Sequence, residues 1–201
     1  MTGLKTETEG PLGALLGLLV REEGSLGQPV DWDAAEALSG HGYPTDYRQF
    51  VELLGGGSLE GCLDVRLPLA ETDADDEKRI CRIPQEIRAT PLANSWSDPS
   101  AAAAHRIEDM LIWGESSGAD TLCWITNGTD PDVWPVAVYS RGDLAWFVYD
   151  CGLAEFILRI LQSEFDHCPL SDESLFGMES ARFLTSEQEA KMMDQGINPW
   201  P

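Results

Sequence analysis

Five cysteines, three histidines and a large excess of carboxylates are the residues with chemistry to offer in this 201-residue chain. Asp166, His167 and Cys168 put three metal-ligand types in a row. Adjacent residues rarely place three donors around one ion, so a centre there needs ligands from elsewhere. His41 sits in a glycine-flanked loop and His105 lies beside Arg106. The cysteines, Cys62, Cys81, Cys123, Cys151 and Cys168, are odd in number, widely spaced and without a C-x-x-C pair, the pattern of reduced cytosolic thiols. Cys151 precedes a predicted helix, whose dipole can lower a thiol pKa. A half-buried structural thiol is the commoner case. No Ser-His-Asp or paired-carboxylate motif is legible. The expectation is therefore no catalytic residue, no metal and no cofactor.

A second candidate for chemistry is the glycine run in YPTDYRQFVELLGGG, residues 43–57. Phosphate loops place glycines before a helix, where the dipole is positive; these glycines follow one, and no Lys-Ser/Thr pair comes after them. The structural reading is a helix with Pro44 in its first turn. Tyr43, Tyr47, Phe50, Val51 and Leu54 line one face, and Gly55, Gly56 and Gly57 supply a left-handed cap and a tight turn.

Charge is the outstanding quantity: 13 basic against 35 acidic residues give a formal net charge of −22. Such a surface disfavours nucleic acid and anionic membranes and favours a basic protein partner, with plain solubility as the competing explanation. The run ETDADDEK resembles a calcium loop only superficially, lacking its glycine and its distal glutamate, and reads as a solvated loop. The carboxylates expected to meet a partner are Glu71, Asp73, Asp75 and Asp76, with Asp130 and Asp132 of a second loop. Of the tryptophans, Trp124, Trp134 and Trp146 fall in predicted strands and are expected in the core. Trp96 and Trp200 lie in Pro/Ser-rich or terminal segments and are expected to be more exposed, Trp96 as a partner contact.

These groups need elements to position them. An apolar stripe of Leu12, Leu15, Leu16 and Leu19 predicts a first helix; PLGALLGLLV is ten residues, too short for a membrane span and without the basic flank of a signal peptide. Without an export signal, the sequon Asn127-Gly128-Thr129 reads as a turn. Asp31 is placed to cap a helix over residues 32–38. Residues 59–67 suggest one strand, and residues 111–113 and 121–126 a hairpin, with Leu122 and Trp124 on one face and Cys123 and Ile125 on the other. Strands over 134–139 and 146–149 follow. Leu153, Phe156, Ile157, Ile160 and Leu161 mark a helix, and residues 187–194 a short last one. Strands joined by short turns and flanked by helices predict a single α+β domain with a mainly antiparallel sheet.

In that order the elements resemble the SMI1/KNR4 family, or SUKH superfamily. YPTDYRQFVELLGGGSLEG resembles its proline-led helix and Gly-rich turn, GADTLCWITNGTDPDVWPVAVY its Gly-Asp strand, Asp-Pro loop and Trp-Pro strand, and EFILRILQ its closing helix. The likeness covers residues 31–165 and is weakest over 80–107. It divides the chain into an N-terminal helix and linker (1–30), the family-like domain (31–165) and a C-terminal tail (166–201). The resemblance implies a non-enzymatic protein that binds and neutralises a toxin domain; the cysteine pattern points to the cytoplasm and the net charge to a basic toxin. A regulatory or scaffolding member with an endogenous partner is the alternative, and a hydrolase with an unrecognised site a third.

Overall fold

The structure is a computed structural model that describes residues 10–21, 27, 29–68, 70 and 79–200. The described residues form one α+β domain around a nine-stranded, mostly antiparallel sheet. Its elements are α1 (Gly10–Leu18), β1 (Leu19–Arg21), α2 (Trp32–Ser39), α3 (Thr45–Leu54), β2 (Gly57–Leu59), β3 (Leu63–Val65), β4 (Cys81–Arg82) and α4 (Gln85–Arg88). They continue with α5 (Pro99–Ala104), β5 (Met110–Ser116), β6 (Thr121–Ile125), β7 (Val136–Ser140), β8 (Ala145–Tyr149), α6 (Leu153–Leu161), β9 (Ala181–Thr185) and α7 (Ser186–Asp194). Strand order is β1-β9-β2-β3-β5-β6-β7-β8, with β4 also pairing β5; only β1–β9 among the named pairs is parallel.

The predicted alternation on β6 divides two cores. Leu122 and Trp124 join the larger one, with the buried faces of α1, α3 and α6; Cys123 and Ile125 join a smaller one on the opposite face with Ile83, Ile107, Ile112 and Trp146. A sheet covered on both sides buries both faces of its central strands, so β6 reads as a continuous apolar run. The larger core is aromatic: Trp124 meets Tyr47 edge-on at 5.0 Å, and Phe50 meets Phe183 at 5.7 Å. Such pairs add to area burial because ring edges carry positive charge and faces negative.

Several expectations need correction. Residues 59–67 are not one strand: β2 and β3 form a hairpin, turning at Glu60 and Gly61, both at positive φ. Pro44 is the residue before α3 rather than within its first turn. Of the three glycines, Gly55 alone has positive φ, 83° with ψ −172°, an extended glycine geometry rather than a left-handed helical cap. Gly57 serves a different need: a β-carbon there would lie 2.1 Å from the Leu184 carbonyl oxygen of the neighbouring strand. The segment after residue 165 is no appendage, because β9 inserts between β1 and β2, and α7 follows with Thr185 and Gln188 forming a reciprocal capping box. Trp134 is buried as expected but precedes β7, where its indole N–H donates to the Gly128 carbonyl at 2.9 Å.

Candidate functional site

The residues expected to meet a partner fare differently. Glu71, Asp73, Asp75 and Asp76 lie outside the described residues. The chain on either side of them is tied by a bridge between Leu67 and Arg79, with Ile80 N–H donating to the Leu67 carbonyl at 2.8 Å. Asp130 and Asp132 are not free loop carboxylates. Asp132 accepts from the Thr45 backbone N–H at 2.5 Å and the Thr45 hydroxyl at 2.8 Å, and Asp130 accepts from the Asp132 N–H at 3.0 Å.

The physical reason lies in the helix starts. A helix begins with N–H groups that lack intrahelical partners, and neither Pro44 before α3 nor Gly152 before α6 has a side chain that can accept them. Asp132 caps α3 from the 127–132 loop, and Asp46 of α3 caps α6 by accepting from Ala154 N–H at 2.9 Å. Burial raises the Asp46 pKa, opposed by its bonds to the Ala154 and Tyr47 N–H groups, while Asp132 raises it further. A perturbed carboxyl beside a second one is the signature of an acid–base pair. Here both carboxylates hold helix ends, which accounts for their proximity.

Asp120 is a buried acid outside the set expected from the sequence. It has no exposed surface, and its carboxylate accepts from Ser116 Oγ at 2.6 Å, Ser171 N–H at 2.7 Å, Ser171 Oγ at 2.5 Å and Arg141 N–H at 2.8 Å. It thereby joins the β5–β6 turn, the β7–β8 turn and the chain leading to β9. The Gly-Ala-Asp motif was the available signal.

Burial raises the pKa of four of the thiols, Cys62, Cys123, Cys151 and Cys168. Cys151 is 8% exposed, and burial, with Glu155 nearby, pushes its pKa up to about 12 despite its place before α6. Among the described residues no three His, Cys, Asp or Glu side chains gather as a metal site would require, and no helix is long and apolar enough to cross a membrane.

Two concavities flank the β7–β8 turn. On the smaller-core face, a groove of about 370 Å³ is lined by Ile83, Ile87, Ile112, Tyr139, Arg141 and Trp146, with Ile87 50% exposed. The Tyr139 hydroxyl is buried with no partner among the described residues. Trp96 is half-buried rather than exposed, its ring 6.2 Å from that of Trp146 and 6.2 Å from that of His105, so it buttresses a groove wall. Trp200 is also half-buried, its indole N–H donating to Glu189 at 2.8 Å. On the opposite face a cavity of about 470 Å³ opens between β8 and the chain after α6, lined by Phe147, Tyr149, Phe165, Asp143, Glu164 and Asp166 together with Arg159 and His167. The Arg159 guanidinium lies 4.1 Å over the Phe165 ring. The turn contributes Arg141 to the groove and Asp143 to the cavity.

Comparison with protein-family models, with curated proteins and with solved structures finds no match for this chain.

Proposed function

We propose that this protein is a non-enzymatic binding module that captures a basic protein partner in the cytoplasm, and that it acts as an immunity protein by covering the active surface of a toxin domain. The observation that carries the reading is the open groove on the smaller-core face, where exposed Ile87 and Arg141 stand beside Tyr139 over a floor formed by buried Trp146. The charge of −22 supplies the second ingredient, a field that steers a cationic partner toward the surface. The likeness of residues 31–165 to the SMI1/KNR4 family supports the immunity role. The engaged carboxylates and the raised thiols favour binding over catalysis.

The test is capture from the native host on the immobilised full chain, with identification of the retained protein and kinetics on the purified pair. A basic partner is expected, its on-rate falling as salt rises because charges are screened over about 8 Å at physiological ionic strength. Ile87→Glu is expected to speed dissociation, whereas Asp73→Asn, Asp75→Asn and Asp76→Asn together slow association. An acidic partner would overturn the charge argument. A partner that is harmless when expressed alone would overturn the immunity role.

A further inference from the structure

Resting on that binding reading, we propose that the cavity between β8 and the chain following α6 is a socket for an arginine side chain of the partner. Its wall is aromatic, from Phe147, Tyr149 and Phe165, and its three carboxylates come from two segments: Asp143 on the β7–β8 turn, and Glu164 and Asp166 after α6. A cation over a ring face is attracted by the ring quadrupole, and guanidinium also stacks flat and pairs with carboxylates through two parallel N–H bonds.

The protein already places one guanidinium in this setting. Arg159 sits 4.1 Å over Phe165, and its closest carboxylate among the described ion pairs, Glu155, is 4.0 Å away at the hydrogen-bond-free limit of an ion pair. Arg159 covers Phe165, whereas Phe147 and Tyr149 line the remainder of the wall. Three carboxylates against the single Arg159 leave a formal charge of −2 with His167 neutral, so the site still attracts a second cation. The Tyr149 phenol is neutral at pH 7, and burial only raises its pKa further, so it can donate rather than repel. At about 470 Å³ the space holds a guanidinium and its methylene stem with room for bridging water. An apolar occupant would gain nothing from those carboxylates. An anion would meet three like charges.

The full chain is titrated with N-acetyl-arginine amide, N-acetyl-lysine amide and N-acetyl-citrulline amide, following amide and aromatic ring NMR shifts. Saturable shifts at Phe147, Tyr149 and Phe165 are expected for the arginine compound, with citrulline, its neutral isostere, about tenfold weaker. The double variant Glu164→Gln/Asp166→Asn, both positions exposed, is expected to weaken arginine binding about tenfold with an unchanged melting temperature. Phe147→Leu, which removes the ring while keeping an apolar side chain, weakens it several-fold. No saturable shift, equal binding of citrulline, or shifts elsewhere would overturn the socket; equal binding of lysine would overturn its assignment to guanidinium. The titration uses no partner, so its failure leaves the capture result standing. Conversely, a failed capture beside a successful titration rejects the captured partner as the source of the arginine and retains only an arginine-binding cavity.

Discussion

Replacing Asp120 tests whether the buried carboxylate network holds the C-terminal third of the chain to the sheet. Each carboxylate oxygen accepts from one backbone N–H and one serine hydroxyl: Oδ2 from Ser171 N–H and Ser116 Oγ, and Oδ1 from Arg141 N–H and Ser171 Oγ. Hydroxyls rotate to find another acceptor, but backbone N–H groups do not. In Asp120→Asn one oxygen becomes NH₂, so either amide orientation strands one of the two backbone donors. Leaving a buried donor unsatisfied costs roughly 1–3 kcal/mol. Asp120→Ala strands both and opens a small void, for about 3–6 kcal/mol. Against a typical domain stability of about 5–15 kcal/mol, the alanine variant is expected to be marginal. Urea unfolding at pH 7 reads the two costs, and at roughly 2–4 °C per kcal/mol for a chain of this size the melting temperature should fall in the same order. Hydrogen exchange of the Arg141 and Ser171 amides localises the effect. If asparagine and alanine cost the same, or if asparagine costs less than about 0.5 kcal/mol with both amides still protected, the counting of stranded donors is wrong.

Three further outcomes follow from contacts of the same kind. Gly57→Ala should destabilise by about 1–3 kcal/mol, because its β-carbon meets the Leu184 carbonyl oxygen at 2.1 Å, whereas Gly17→Ala, with nothing within 4 Å in α1, should stabilise by about 0.5–1 kcal/mol; matching signs in chemical unfolding refute the close-approach argument. Burial raises the Asp46 pKa, so the folded state holds its proton more tightly than the unfolded state, and this contribution, full below the unfolded value near 3.8, is lost as pH rises through the folded value. The stability of the native protein relative to Asp46→Asn, which retains an acceptor oxygen, should therefore fall over that window in pH-dependent urea unfolding; a rising difference contradicts the sign. With its thiol pushed up to about 12, Cys151 is roughly 10⁻⁴ thiolate at pH 8, so alkylation followed by peptide mass spectrometry should leave it unmodified in the native protein and labelled in urea; native labelling at the denatured rate disproves the burial account.

What the sequence determined by itself is whatever depends on neighbours in the chain. The stripe Leu153, Phe156, Ile157, Ile160 and Leu161 makes α6, and all five residues are buried. Asp31 caps α2 by accepting from Ala34 N–H at 3.1 Å, and Gly40 ends it at positive φ. Alternation sorted β6 onto two faces, and composition alone set the net charge. Local pattern could not reveal β9, whose five residues follow a long polar stretch and whose partners, β1 and β2, lie more than a hundred residues earlier. Nor could it reveal that Asp46 and Asp132 cap helices of which they are not the N-terminal neighbours, or that Asp120 is buried among donors from three segments. The cavity lined by Phe147, Arg159 and Asp166 is likewise a product of folding, because its walls belong to a strand, a helix and the chain beyond it. Helix periodicity and turn chemistry act over a few residues, whereas caps, buried acids and cavities depend on which distant surfaces the sheet order brings together, and only the tertiary structure decides that.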